Sequence, residues 1–394
     1  MYKKNIYIIL FILLTCCTNS VNMRNEQKGQ LTASYQLVVG NEKKILLDDD
    51  TAPNPPYMQM IRGKNEEQIL TFFNPHKNAI YFYDYENSVC TRTIEYEQQG
   101  PNAVFRLAGY FIKNMDSIYV YNRSLVELVL TDSLGHVKQR ISLRDNNKND
   151  WYNFYPQYEF STINPMSENK GQLILTGMSP YGTDSLYHKF KFTSCIDLKS
   201  GNVKFMHTYP LKLYGFNAFQ WQDPLFMQVY RELLPNGEFI YSFPVSHDIY
   251  ITSFDANNFK TVYAGSNVAG SIRSMYDYKG KIPGEIIVEH YIKYDFYTGI
   301  IYDSYRKVYY RFMMQAIPGA TPNTHWKEKP VIVIIMDEQF NYMGETVIGT
   351  GEEWNWKNSF ITPEGLVIEY IDLSVDSGEE YLILKTLTVE KINK

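Results

Sequence analysis

The sequence predicts an all-β fold, a six-bladed β-propeller, and three observations carry that prediction. Tyrosine and phenylalanine are abundant, 34 and 22 residues of 394, and aromatic side chains suit the pleated, half-buried surface of a strand. Beyond residue 30, apolar residues alternate with a period of two or run in short β-branched blocks, with no long stretch of 3.6-residue periodicity. A strand ending in aspartate, a short turn and a second strand recur five times. With 44% hydrophobic and 21% charged residues the chain is not disordered, and it is long enough to build a core that needs no disulfide, metal or cofactor.

Taken in order, the chain opens with an address. Lys3 and Lys4 precede an apolar run from Ile6 to Leu14 that is too short to remain as a spanning helix, the pattern of a secretory signal peptide over residues 1–16. Leu14-Thr15-Cys16-Cys17 resembles a bacterial lipobox. Cys17 is the expected lipidation site, because cleavage before Cys16 would leave the larger Thr15 ahead of the cut. Several acyl chains anchor a protein stably, at about 0.8 kcal/mol per buried methylene, so a membrane is the expected partner through that anchor. Residues 17–30 then read as the lipidated cysteine and a polar, flexible tether with a reach of about 45 Å. Residues 31–394 form the propeller domain.

Within it, residues 36–47 are β-like and precede the first repeat, the place of a terminal strand that completes the blade at the other end of the chain and hides sheet edges. The repeats follow at Asp84, Asp132, Asp197, Asp255 and Asp337, spaced 48, 65, 58 and 82 residues apart. Aspartate starts such turns because its carboxylate accepts a backbone hydrogen bond two residues on, and Gly or Asn tolerates the positive φ that follows. The spacing is that of a four-stranded blade with variable insertions. A sixth unit is expected over residues 360–390, and Gly349-Thr350-Gly351 as a connection between blades. A two-domain β-sandwich, the rival, does not account for five copies of one hairpin.

Three further motifs carry a resemblance. Gly100-Pro101-Asn102, Asn114-Met115-Asp116-Ser117-Ile118 and the tyrosine-rich stretch from Tyr302 to Arg311 are similar, together with the lipobox, to Bacteroidetes lipoproteins with a TolB-like six-bladed propeller, among them an uncharacterised family of about this length. Gln99 departs from the acid expected before Gly100. The resemblance covers most of the chain and implies a fold but no established activity. In such lipoproteins an acidic cluster after the lipidated cysteine marks export to the cell surface. This sequence has none there, which implies the periplasmic face of the outer membrane.

Function is less legible. A formal net charge of −5, more negative once Lys3 and Lys4 are removed, supplies no basic footprint for nucleic acid. The seven histidines lack ligand spacing, and only Glu289-His290 sets a carboxylate beside one, so no metal is expected. Asp48-Asp49-Asp50 lacks the alternation of a calcium loop and reads as a solvated turn. No nucleophile elbow or phosphate loop occurs. Cys90 and Cys195 read as independent thiols rather than a disulfide. Paired acids for glycoside hydrolysis would come from Glu352, Glu353, Glu364 and Asp303, each more readily a surface or turn carboxylate. Aromatic residues offer the better signal: residues 291–297 and Trp354-Asn355-Trp356 would place rings on both faces of a strand, which marks His290, Trp354 and Trp356 as ligand candidates. Asp303, Arg306, Tyr310 and Arg311 are expected on a strand at the propeller centre, with the arginines drawing acidic ligands into the channel. The expectation is a monomeric, noncatalytic binding or scaffold module for a protein, peptide or glycan. The alternatives are an envelope carbohydrate-active enzyme and a purely structural component.

Overall fold

The computed structural model describes residues 21–144, 155–179, 189–214, 221, 223–256, 258–275, 282–373 and 380–393. Six four-stranded antiparallel sheets follow one another around an axis. Blade 1 comprises Met58–Arg62, Gln68–Asn74, Ala79–Asp84 and Val89–Glu95. Blade 2 comprises Leu107–Asn114, Ser117–Asn122, Glu127–Thr131 and Val137–Ser142. Blade 3 is built from Ser167–Asn169, Gln172–Thr176, Lys191–Asp197 and Val203–Thr208, and blade 4 from Tyr230–Leu233, Phe239–Ser242, Asp248–Thr252 and Lys260–Tyr263. Blade 5 takes Phe296–Asp303, Val308–Met314, Pro330–Asp337 and Tyr342–Thr350. The first strands of blades 4, 5, 6 and 1 neighbour one another in turn around the axis, and buried side chains pack in layers between consecutive blades rather than in one central mass.

Blade 6 closes the ring as expected. Trp354–Ile361, Leu366–Tyr370 and Tyr381–Lys391 are joined by Tyr35–Leu46 from the other end of the chain. Its register runs from Tyr35 opposite Lys391 to Leu46 opposite Tyr381. Leu37 and Ile45 are buried on this strand, and the Leu37 amide donates to the Thr346 hydroxyl of blade 5 at 2.8 Å.

This closure explains why the aspartate hairpin occurs five times and not six. Each of the five aspartates sits between the third and fourth strands of its blade, and in blade 6 those two strands are not consecutive in the chain. Four of the turns are tied by their aspartate in two patterns: the amides three residues on, Asn87 and Ser200, donate to Oδ1 of Asp84 and Asp197 at 3.0 and 2.7 Å, and the amides two residues on, Leu134 and Gln339, donate to Oδ1 of Asp132 and Asp337, both at 2.9 Å. Such bonds favour the ionised form and hold the carboxyls of Asp84, Asp132 and Asp197 below the usual range. The left-handed residue is glycine in only two of the four, Gly135 and Gly201; Ser88 and Phe340 take it elsewhere.

Two expectations need correction. Residues 291–297 are not one strand: a helix, Gly284–Lys293, ends there and blade 5 begins at Phe296. The buried Lys329 ammonium donates to the carbonyls of Tyr291 and Tyr294 at the helix C-terminus, where a cation satisfies orphan carbonyls. Tyr291 then stacks on Phe296 at 5.2 Å, so the rings face each other across the bend. The stretch expected to be a free tether is also held, from Val21 onward. Asn22–Met23 pairs with Ile272–Arg273, the Asn25 amide donates to the carbonyls of Ser266 and Ala269 at 2.8 and 3.0 Å, and the Leu31 amide donates to Asn267 Oδ1 at 2.9 Å. Polar composition suggested a solvated linker, but backbone groups and the Asn25 side chain fasten the stretch to the body while most of its other polar side chains stay exposed. Cys17 and the signal segment lie outside the described residues.

Candidate functional site

The two faces of the ring differ. One, the turn face, carries the short connections that include every aspartate turn. On the other, the loop face, lie the insertions: the plug around residues 155–166, the helices Leu211–Tyr214, Pro224–Met227 and Gly284–Lys293, and the 3-10 turn Trp326–Glu328. Long loops on a rigid scaffold are where binding residues gather.

The axis is blocked from this side. Asn164 and Ser161 close a tight turn, with a 3.0 Å backbone bond between them, and that turn reaches across the centre. The Thr162 hydroxyl donates to Asn358 Oδ1 of blade 6 at 2.7 Å and accepts from the Met58 amide of blade 1 at 3.0 Å. The Ile163 amide donates to the Lys357 carbonyl at 3.1 Å, and Asn164 Oδ1 accepts from the Arg231 amide of blade 4 at 3.2 Å. Gly109 and Gly299 make room for it: a Cβ at either would lie 2.4 Å from the Phe160 ring or 2.5 Å from Ile163, distances no side chain can hold.

Above the plug is a blind cup of about 520 Å³, walled by the plug itself and by residues in or beside blades 1, 2, 4, 5 and 6, a size typical of small-molecule sites, roughly 300–1,000 Å³. Its charged lining consists of Arg106, Arg123, Lys327, Lys357 and one acid, Glu159. Arg123 pairs with Glu159 at 3.5 Å. Lys357 is reached by solvent yet ringed by protein, and enclosure first, then repulsion from Lys327, lowers its ammonium below the ordinary lysine value against the pull of Glu159. Lys327 and Lys357 lie over the rings of Trp326 and Trp356, each at 5.8 Å.

The sequence candidates divide among four places. Trp354 and Trp356 line the cup but are only 4% and 6% exposed. Their indoles pack edge-on against Tyr370 at 5.2 Å and Tyr230 at 5.9 Å, so they shape the wall rather than present a face. Asp303, Arg306 and Tyr310 gather at the turn face, where Arg306 donates to Asp303 Oδ2 at 2.9 Å and to the Pro363 carbonyl of blade 6 at 2.6 Å, and Tyr310 donates to the same carboxylate at 3.1 Å. Arg311 is fully buried between blades 4 and 5. It donates to Ser242 Oγ and the carbonyls of His247, Ala264 and Ser246 at 2.8–3.1 Å, and lies 4.0 Å over Tyr297. Neither arginine lines a channel: the axis is filled, and carbonyls of the neighbouring blade saturate Arg311. His290 sits on the helix Gly284–Lys293, bonded to the Arg273 carbonyl at 2.7 Å, and burial pushes its pKa down to about 4.

Sequence reasoning missed Trp326, Lys327, Arg106, Arg123 and Lys357, which stand on four segments far apart in the chain. The one local signal was His325-Trp326-Lys327 inside a Pro- and Thr-rich insertion. It also missed Glu369. This carboxyl is 1% exposed behind the cup wall; its Oε2 accepts from Asn355 and Asn358 at 2.7 and 2.6 Å, and desolvation pushes its pKa up to about 7 against those bonds. Among the described residues no group of His, Cys, Asp and Glu is arranged to hold a metal ion. Cys90 and Cys195 are both free.

Comparison with known proteins agrees with the architecture. No curated protein matches. A crystal structure of a DUF4221 member from Bacteroides vulgatus superimposes with a TM-score of 0.74 at 19% identity, covering 92% of this chain and 100% of that one. A putative exported protein from Bacteroides fragilis superimposes at 0.53 and 11% identity, covering 90% and 96%. At these identities the likeness is one of fold. The family model described as Domain of unknown function (DUF4221) matches residues 34–347, most of the propeller from its closing strand to the end of blade 5, and the chain belongs to that family.

Proposed function

We propose that the protein is a noncatalytic binding module of the cell envelope, lipid-anchored through Cys17 at the periplasmic face of the outer membrane, that seats the anionic end of a glycan in the loop-face cup. The observation that carries the reading is the charge of that cup: four cations against one acid, in a chain whose net charge is −5. Cations in a concave, low-dielectric recess attract anions more strongly than the same groups on a convex surface, and guanidinium adds bidentate geometry for carboxylate or sulfate.

Shape and chemistry favour a sugar over other anions. The cup is too small for a folded partner, which buries about 800 Å² per side. A peptide joining by strand addition needs a free sheet edge, and the outer edges of the blades, their fourth strands, contribute no residue to the cup. Trp326 is half-buried, leaving part of its ring for a sugar to pack on, and Asn54, Asn355 and Gln228 in the lining offer amides to hydroxyls. Glu369, the carboxyl behind the cup wall whose pKa burial pushes up to about 7, is shut behind Asn355 and Asn358. Among the described residues no helix is long and apolar enough to cross a membrane, which fits attachment by lipid.

Calorimetric titration with trigalacturonate, neutral cellotriose and triglutamate tests the cup. Trigalacturonate should bind and weaken as salt is raised. Lys357→Ala and Trp326→Ala should each cost about tenfold, the value of one charge-assisted or stacking contact of roughly 1.5 kcal/mol. Equal affinity for cellotriose would remove the anionic requirement, and preference for triglutamate would replace the glycan by a peptide.

A further inference from the structure

The way residues 21–31 are fastened has a consequence for how the protein sits on its membrane. We propose that the flank formed by the Asn22–Met23 strand, its partner Ile272–Arg273 and the helix Gly284–Lys293 rests against the bilayer, so that the ring is held in one orientation rather than carried on a loose leash. The proposal rests on the lipid anchor at Cys17 put forward above.

If the chain were free through residue 30, a reach of about 45 Å would let a domain of this size turn in any direction. The fastening begins at Val21 instead. Its amide donates to Ser274 Oγ and its carbonyl accepts from the Ser274 amide, both at 3.0 Å. The Met23 carbonyl lies 3.1 Å from His247 Nε2, and Asn25 Oδ1 accepts from the Tyr263 hydroxyl at 2.8 Å. The Gly29 amide donates to the Asn267 carbonyl at 2.9 Å. Ten residues of apparent linker are thus part of blade 4's border. From Cys17 to Val21 the chain spans at most ~14 Å when fully extended. A compact domain of this length has a radius of gyration of about 21 Å, so the leash is shorter than the body is wide, and the flank bearing Val21 cannot turn away from the lipid.

That flank is continuous with the helix. The Arg273 carbonyl, next to the Val21 contact, accepts from His290 of Gly284–Lys293, and Val288 on the same helix is 40% exposed. Cys90 marks the other side, exposed on the outermost strand of blade 1 and three blades away around the ring.

The test uses the full lipidated protein in phosphatidylethanolamine–phosphatidylglycerol vesicles carrying a headgroup-depth nitroxide quencher. A fluorophore is placed on Val288→Cys in a Cys90→Ser background, or on the native Cys90. The expected result is loss of emission at position 288 and none at Cys90. Inserting about 20 Gly/Ser residues after Ser20, which adds roughly 25 Å of r.m.s. reach, should abolish the loss at 288. Mass analysis of the N-terminal peptide in the same sample separates the two readings. If Cys17 carries no lipid, the anchor falls and the orientation with it. If Cys17 carries lipid and both positions are quenched alike, or if the insertion leaves quenching at 288 unchanged, the anchor stands and the orientation is overturned.

Discussion

Replacing Glu369 by Gln should remove a pH dependence that the fold carries at the seam where the ring closes. Glu369 sits in blade 6, and its partners reach both ways: Asn355 touches Asn54, while Asn358 holds the Pro55 carbonyl of the approach to blade 1 and the plug through Thr162. Burial raises its pKa from 4.5 to about 7. Below pH 4.5 both the folded and unfolded chains carry the proton, and the native state loses nothing. As pH rises the unfolded chain ionises first while the native state keeps its proton, so stability falls through this window and the loss is complete above about pH 7. At 1.36 kcal/mol per pH unit the loss is about 3 kcal/mol. Glutamine mimics the protonated form in shape and cannot ionise. Urea unfolding of both proteins across pH about 4.5 to about 8 cancels the titrations they share. The wild-type protein should lose about 3 kcal/mol relative to Glu369→Gln over that range. Parallel curves would show that the two asparagine donors outweigh desolvation and that the carboxylate is stably ionised.

Other outcomes follow from the same contacts. Arg311→Lys leaves one ammonium where five N–H groups served; with two or more buried carbonyls orphaned at about 1–3 kcal/mol each, denaturant unfolding should show a loss of at least about 2 kcal/mol while glycan affinity in the remaining folded protein is unchanged. Deleting residues 31–47 removes the buried Leu37, Ile45 and Leu47, worth about 5–9 kcal/mol, and should lower the melting temperature by about 6–11 °C; an unchanged melt would refute closure by this strand. Cys17→Ser should move the protein from the membrane pellet to the soluble fraction, and lipid found on Cys16 would reassign the anchor.

Much of the scaffold was legible because its signals are local. Each aspartate turn needs only a few adjacent residues, and period-two alternation is readable within a single strand, so blades 1 to 5 and the closing strand announced themselves. The site was not legible for the opposite reason. Arg106, Arg123, Lys327 and Lys357 become neighbours only when the ring closes, and the plug at Thr162 means nothing until the blades around it are placed. Arg306 and Arg311 looked like channel residues because arginine beside tyrosine in a strand is conspicuous in sequence. What decides their role is whether carbonyls from the adjoining blade reach them, and that is a property of packing between blades. Residues 291–297 failed as a strand because a distant residue, Lys329, supplies the cap that ends a helix there. The polar run at 21–30 failed as a tether because composition says nothing of where backbone groups bond, and here the backbone and Asn25 bond to the border of blade 4.

The central claim is that an anionic ligand enters from the loop face, and matched charge reversals test it most directly. Lys357→Glu changes the cup, and Lys199→Glu makes the same change in net charge on the turn face, where Lys199 is exposed beside Asp197. Measured with trigalacturonate at low salt, the first should abolish binding and the second should leave it intact. Equal losses would mean that affinity follows net charge rather than the cup, and a loss confined to Lys199→Glu would place the ligand on the opposite face.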